Sequence, residues 1–336
     1  MERLHLRPTY TESVVQFEES QSVDVIDNCC KASNASFKKL LRKYAIFHSS
    51  FFLLVALEIL CLLFLSFFYK LSYFIPITIA GIFLTLFSYF VLLYYFQIRK
   101  SQQFIEIKNS FLQMYINSCQ LHPEQPGYHL AIATGMEKLS SYLHQNDFLC
   151  KKAISHQPRQ KFTQKYLSFL LKRDLISMQK LLLFESIKEH IASIKEEPTD
   201  LEAHASLVLT YLELAKIHKS AERNVAFTSS IESAIEELKI LLIYSPKDPW
   251  VHAQLAACYH DLNRREEEIA QYEHILSLRS NDQEVMYRLG ILYFQQGQNA
   301  KGFKIYEQLK SLGCIKHESL LQYYDAYMKS IFPINL

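Results

Sequence analysis

Residues 249–282 read PWVHAQLAACYHDLNRREEEIAQYEHILSLRSND, and residues 283–316 read QEVMYRLGILYFQQGQNAKGFKIYEQLKSLGCIK. Laid one over the other, these two 34-residue lengths need no gap. Leu255 falls on Leu289, Ala256 on Gly290, Tyr259 on Tyr293, Tyr272 on Tyr306, Glu273 on Glu307 and Ile275 on Leu309. Tyr327 continues the series 34 residues beyond Tyr293. A fixed period of this size marks helical pairs that cannot bury their apolar faces alone and therefore stack on their neighbours. The small residue lets two helices approach closely and the aromatic fills the space beside it. These positions are therefore core, not candidate sites.

The pattern resembles the tetratricopeptide repeat, which asks for a large residue at position 7, a small one at 8, an aromatic at 11, then small at 20, large at 24 and Pro at 32. Both lengths supply positions 7, 8, 11 and 24. Gly302 provides the small residue at position 20, whereas Glu268 does not, and Ser280 and Cys314 stand where Pro is expected. An earlier unit, 201–248, fits once a 14-residue insertion is allowed. Leu207, Val208 and Tyr211 begin it, and Ala234, Leu238, Leu241 and Pro246 finish it. The extra residues lie near 217–230, IHKSAERNVAFTSS, and lengthen either the turn or the helices. Residues 317–330, with Tyr323, Tyr324 and Tyr327, form a capping helix. The span 200–336 is thus expected to be an α-solenoid of tetratricopeptide-like repeats: 201–248, 249–282 and 283–316, then a cap.

In that family the first helices of the repeats line a concave groove that binds peptides. The resemblance implies a groove presenting Trp250, Ala253, Ala257, His260, Tyr287, Arg288, Ile291 and Phe294. Of these, Trp250, His260, Tyr287, Arg288 and Phe294 are the candidate partner contacts, because aromatic and Arg side chains make good interface anchors. The same side chains could instead pack between repeats or under the terminal helix. The basic clamp of chaperone-binding repeats is absent, since Ala205 and Leu209 stand where Lys and Asn would be expected.

Toward the N-terminus the chain changes character. Gly (7) and Pro (9) are scarce in 336 residues, which disfavours turn-rich β folds and glycine-dependent phosphate loops and favours long helices. The composition is 49% hydrophobic although mean hydropathy is only −0.02, so the apolar residues must be concentrated. They are found at 44–69 (YAIFHSSFFLLVALEILCLLFLSFFY) and 71–98 (LSYFIPITIAGIFLTLFSYFVLLYYFQI). Each exceeds the roughly 20 residues needed to cross a bilayer as a helix. The link Lys70–Leu71–Ser72 forces an antiparallel transmembrane hairpin, 44–98. Lys31, Lys38, Lys39, Arg42 and Lys43 precede the first span and Arg99, Lys100 and Lys108 follow the second. The positive-inside rule then places both termini in the cytoplasm, with Tyr69, Tyr73, Tyr94 and Tyr95 as interfacial aromatics. Glu58, an intramembrane carboxyl, reads either as an ion or proton relay or as a hydrogen-bonding group that glues the helices. Its expected neighbours across the hairpin are Thr85, Ser88 and Tyr89.

Residues 1–43 read as a flexible cytoplasmic tail in which the sequon Asn34–Ala35–Ser36 is inert. Residues 99–199 read as a helical membrane-proximal region, with helices over 99–120, 128–145, 160–172 and 175–196. Seven cysteines without a CxxC fit reduced thiols better than a disulfide framework or a zinc site. No nucleotide, hydrolase, zinc-protease or calcium motif occurs. The net charge of +2 is spread out, so no nucleic-acid arm is expected. No metal, cofactor, catalytic residue or enzyme activity is expected. The expected role is an all-α, multi-pass membrane scaffold that binds a protein or peptide, is embedded in a lipid bilayer and is able to form homo-oligomers. The polar N-terminal segment, the paired spans with a tiny link and the C-terminal domain also resemble the inclusion membrane proteins of chlamydiae. That likeness implies type III secretion and both ends facing host cytosol. An ordinary bacterial inner-membrane protein, and an oligomeric ion or proton pathway built on Glu58, are the alternatives.

Overall fold

The computed structural model describes residues 19–68, 74–145, 161–220 and 224–331. The link Lys70–Ser72, Tyr69, Tyr73 and Cys150 lie outside them. The described residues are helical without strands. They form α1 (Glu19–Phe68), α2 (Phe74–Cys119), α3 (Tyr128–Gln145), α4 (Lys161–Glu196), α5 (Leu201–Ser220), α6 (Asn224–Tyr244), α7 (Pro249–Asp261), α8 (Arg265–Leu278), α9 (Gln283–Gln295), α10 (Asn299–Ser311) and α11 (His317–Ile331). Two compact units result, residues 15–193 and a second from Ile194 onward.

In the first unit, α1 and α2 are 50 and 46 residues long, roughly 75 and 70 Å at 1.5 Å per residue. They run antiparallel, as their contacts show. Phe37 meets Phe104 with ring centroids 5.6 Å apart. Tyr44 Oη donates to Gln103 Oε1 at 2.7 Å, His48 Nδ1 lies 2.9 Å from Tyr89 Oη, and Thr85 Oγ1 donates to Glu58 Oε1 at 2.6 Å. Two regimes divide this pair. Along 46–64 and 77–98 the outward side chains are large, apolar and exposed, Leu53 and Phe83 each to 69%. Both helices are long and apolar enough to cross a membrane.

Below that zone the same two helices enter a four-helix core. Ile26, Cys29, Cys30, Phe37, Leu40, Leu41 and Tyr44 of α1 pack with Phe104, Phe111 and Tyr115 of α2. Leu139 and Leu143 of α3 and Leu175, Met178 and Leu182 of α4 complete it. The tail expected over 1–43 is therefore helical from Glu19, and its apolar stripe is core. Ser33 and Asn34, both buried, occupy the stripe between Cys30 and Phe37 and interrupt its hydrophobic signal. The sequon asparagine is thus a seam residue. A single helix, α4, replaces the two expected over 160–172 and 175–196. It is tied to α3 by Ser186 Oγ donating to Ala133 O at 3.1 Å and by His190 Nε2 lying 2.7 Å from Glu137 Oε1.

The second unit stacks helical pairs α5/α6, α7/α8 and α9/α10, and α11 packs on the last pair. Each pair opens on an aspartate N-cap. Asp200 Oδ1 accepts from Glu202 N at 2.9 Å, Asp248 Oδ1 from Trp250 N at 2.8 Å, and Asp282 Oδ1 from Val285 N at 3.1 Å. The turn within the second pair is held by Arg264 N→Tyr259 O, and that within the third by Gln298 N→Tyr293 O, both 2.8 Å. Each turn places Asn263 (φ 56°) or Gly297 (φ 73°) in the left-handed region that such a helix stop requires. A second device recurs in the first two pairs. His204 bridges Glu237 Oε2 (2.7 Å) and Pro198 O (3.2 Å), and His252 bridges Gln271 Oε1 (2.8 Å) and Pro246 O (3.0 Å). Helix α5 has 20 residues against 13 in α7, and α6 has 21 against 14 in α8. The insertion thus adds seven residues, two turns, to each helix of the first pair.

Candidate functional site

The first helices of the three pairs, α5, α7 and α9, together with the terminal α11, all contribute to one cavity of the second unit, which measures ≈ 490 Å³. Its floor carries Ala253 and Ala257 from α7 and Ile291 and Leu292 from α9, small or aliphatic side chains that leave room above them. Tyr323 of α11 contributes at the cap side. Ala215, Lys216 and Lys219 of α5 and Phe227 of α6 complete the lining. All four lie on the added turns, so the insertion builds a wall of the groove.

A polar cluster is set into this surface. Glu268, at the start of α8, is only 4% exposed. His260 Nδ1 lies 3.1 Å from its Oε1 and 3.2 Å from its Oε2. Burial pushes the Glu268 carboxyl above the usual carboxylate range, and His260 pulls it partly back. Tyr272, one turn further along α8, has its phenol raised by burial and opposed by Arg288. Arg288 Nε lies 3.4 Å from Glu284 Oε1. On the wall, Lys216 pairs with Glu213, and Lys219 Nζ lies 3.2 Å from Asp261 Oδ1 and 5.4 Å above the Phe227 ring. The groove therefore offers an apolar floor flanked by imidazole, guanidinium and ammonium groups. These can hold a short segment by apolar contact and by hydrogen bonds to its carbonyl and carboxylate oxygens.

Of the five groove contacts expected from sequence, the structure brings two together here, His260 and Arg288. Trp250 is 6% exposed and packs with Leu241, Val251 and Leu255 in the core between the first two pairs. Phe294 is fully buried beneath the cap, with ring centroids 5.2 Å from Phe303 and 5.5 Å from Tyr324. Tyr287 is half-buried and its hydroxyl lies 2.9 Å from Ser319 Oγ of α11, so the cap covers it. Large aromatics on the first helix serve inter-repeat burial in this array, and the groove is left to smaller residues. The residues that sequence reasoning missed carried signals all the same. Glu268 is the departure from the small residue at position 20, and Lys219 and Phe227 belong to the inserted stretch.

Glu58 lies in the first unit, half-buried on the α1–α2 seam opposite Thr85, with Ser88 and Tyr89 on the same face of α2. Among the described residues no group of three or more His, Cys, Asp or Glu side chains is placed to hold a metal.

These features define the class of protein at the level of fold: the described residues form helices without strands, two of them long and apolar, followed by stacked helical pairs with a tetratricopeptide-like period. No family model and no curated protein matches the chain. Among solved structures, one recorded as "Crystal structure of MamA" is similar over 45% of this chain and 89% of its own, with 17% identity and a TM-score of 0.32. The repeat assignment stands on the recurring caps, turns and cores of the chain itself.

Proposed function

We propose that this protein is a membrane-anchored, non-enzymatic scaffold. The apolar halves of α1 and α2 sit in a bilayer, and the concave face of α5–α11 binds a segment of a protein partner. The observation that carries the proposal is the groove, lined by residues of every pair and walled by the inserted turns. Lys38, Lys39 and Arg42 of α1 and Arg99, Lys100 and Lys108 of α2 stand at the same end of the antiparallel pair. That clustering supports a cytoplasmic bundle and cytoplasmic termini. In the test, partners crosslinked to the full chain are compared with those of Ala257→Gln and Ile291→Gln, which fill the groove floor. Partners lost from both variants, with unfolding unchanged, support the groove. Partners retained at full yield reject it. Carbonate washing of membranes tests anchoring, since a spanning hairpin stays with the lipid.

For Glu58, the 2.6 Å contact from Thr85 favours helix-to-helix glue over an ion pathway. Glu58→Gln is expected to leave partner binding intact and to change no ion flux in reconstituted vesicles. Loss of a measurable flux would favour the pathway instead. The inclusion-membrane location is the alternative to a bacterial inner membrane, and fractionation of infected or producing cells decides between them.

A further inference from the structure

At the junction where the exposed apolar zone of α1 and α2 gives way to the four-helix core, α1, α2 and α4 enclose a cavity of ≈ 400 Å³. One side of it is aromatic, with Phe47 of α1 and Phe96 of α2 in edge contact, ring centroids 4.5 Å apart. The other side is charged. Lys100 Nζ lies 2.8 Å from Asp174 Oδ2 and 4.4 Å above the Tyr44 ring, and that ion pair is largely buried. Lys100 and Asp174 thus neutralise one another. The surplus charge is that of Arg173, which also lines the cavity, is exposed, and has no ion-pair partner among the described residues. Gln97, one turn before Ser101 on the α2 wall, adds an amide beside the serine hydroxyl.

We propose that this cavity is a site for the phosphate of an anionic phospholipid. This rests on the membrane-anchored reading above. Arg173 would supply a planar fork of donors to the phosphate oxygens, with the Lys100 ammonium behind it. On the same face of α2, Leu86 and Phe90 stand seven residues before the lining residues Leu93 and Gln97 and are exposed to the apolar zone, and along them acyl chains would lie. That continuity commits the site to a lipid and not to free phosphate. Diffuse attraction between basic juxtamembrane residues and an anionic leaflet predicts something different, because it weights all exposed cations at that level alike.

The test uses the full chain reconstituted in nanodiscs of phosphatidylcholine with one-fifth phosphatidylglycerol and released into the gas phase for native mass spectrometry. Retained phosphatidylglycerol is counted for the wild type, for Arg173→Gln and for Arg42→Gln. Arg42 is an exposed cation of α1 that does not line the cavity. The expected result is a loss of about tenfold in retention for Arg173→Gln, in line with one charge-assisted contact, and under about twofold for Arg42→Gln. Equal losses from both variants would reduce the effect to diffuse charge and overturn the site. Displacement of the lipid by millimolar inorganic phosphate would overturn the lipid source. A chain that inserts but keeps both lipids in bulk proportion defeats the site alone. A chain that never enters the nanodisc defeats the anchored reading.

Discussion

Two residues at the same position of successive repeats decide different things. Gly302 takes position 20 of the third pair because a Cβ there would stand 2.6 Å from the Phe294 ring. Phe294 is itself fixed between Phe303 and Tyr324, so it cannot move away. Gly302→Ala is expected to destabilise the repeat unit by about 1–3 kcal/mol, read as a lower unfolding midpoint. Glu268 takes the same position in the second pair and points a carboxylate into the groove. Its folded pKa is raised above the ordinary 4.5, chiefly by burial. The neutral acid is therefore the form the fold prefers. Its stabilising contribution is complete below the unfolded value and is lost as pH rises through the folded one. Glu268→Gln should gain stability relative to the wild type as melts are moved from about pH 4 to about pH 7. A variant that falls further behind over that interval would reverse the sign and show that the attraction to His260 outweighs burial.

At the scale of elements, the helical first half of α1 is the feature that sequence left hidden. The spans were legible because each is an unbroken apolar run. The repeats were legible because position-specific residues recur at a fixed interval. Residues 26–44 offered neither signal, since buried Ser33 and Asn34 dilute an amphipathic stripe whose partners lie on three other helices. Such a stripe makes sense only with the tertiary structure in view. Phe37, 2% exposed against Phe104, is an anchor of that bundle. Phe37→Ala should cost about 3–5 kcal/mol in the first unit's stability, whereas substitution in a flexible tail would cost nothing measurable. The groove was half legible for a related reason. Helical register places a side chain on a face, but whether Trp250 on that face meets solvent or the next pair depends on how closely the pairs stack. The aspartate caps are local and simple to test. Asp248→Ala should lose about 1 kcal/mol through the unmet Trp250 amide.

At the scale of the whole molecule, the chain divides into a unit that carries the apolar zone and a unit that carries the groove. Each has its own core, so their functions can be separated by mutation. Groove substitutions such as Ile291→Gln should cut partner affinity by about tenfold or more and leave membrane association unchanged, as measured by binding and by carbonate extraction of one preparation. Loss of both together would show that the two units do not act independently.

The lengthened first pair has a consequence of rotational phase. Seven residues at 100° each turn a helix through about 700°, only about 20° short of two full revolutions. Lys216 and Lys219 stand seven residues beyond Leu209 and Leu212, which hold the register positions of Ala257 and His260, and Phe227 stands seven before Ala234, which holds that of Glu268, so each repeats the bearing of a groove position. That is how Lys216, Lys219 and Phe227 come to face the same hollow as residues of the shorter pairs. Adding or deleting two residues in each helix would swing the wall by about 200° and aim it at solvent. In such a chain the stacked core would be unchanged while the hollow stood open on one side, which uncouples the dimensions of the binding surface from the stability of the array beneath it.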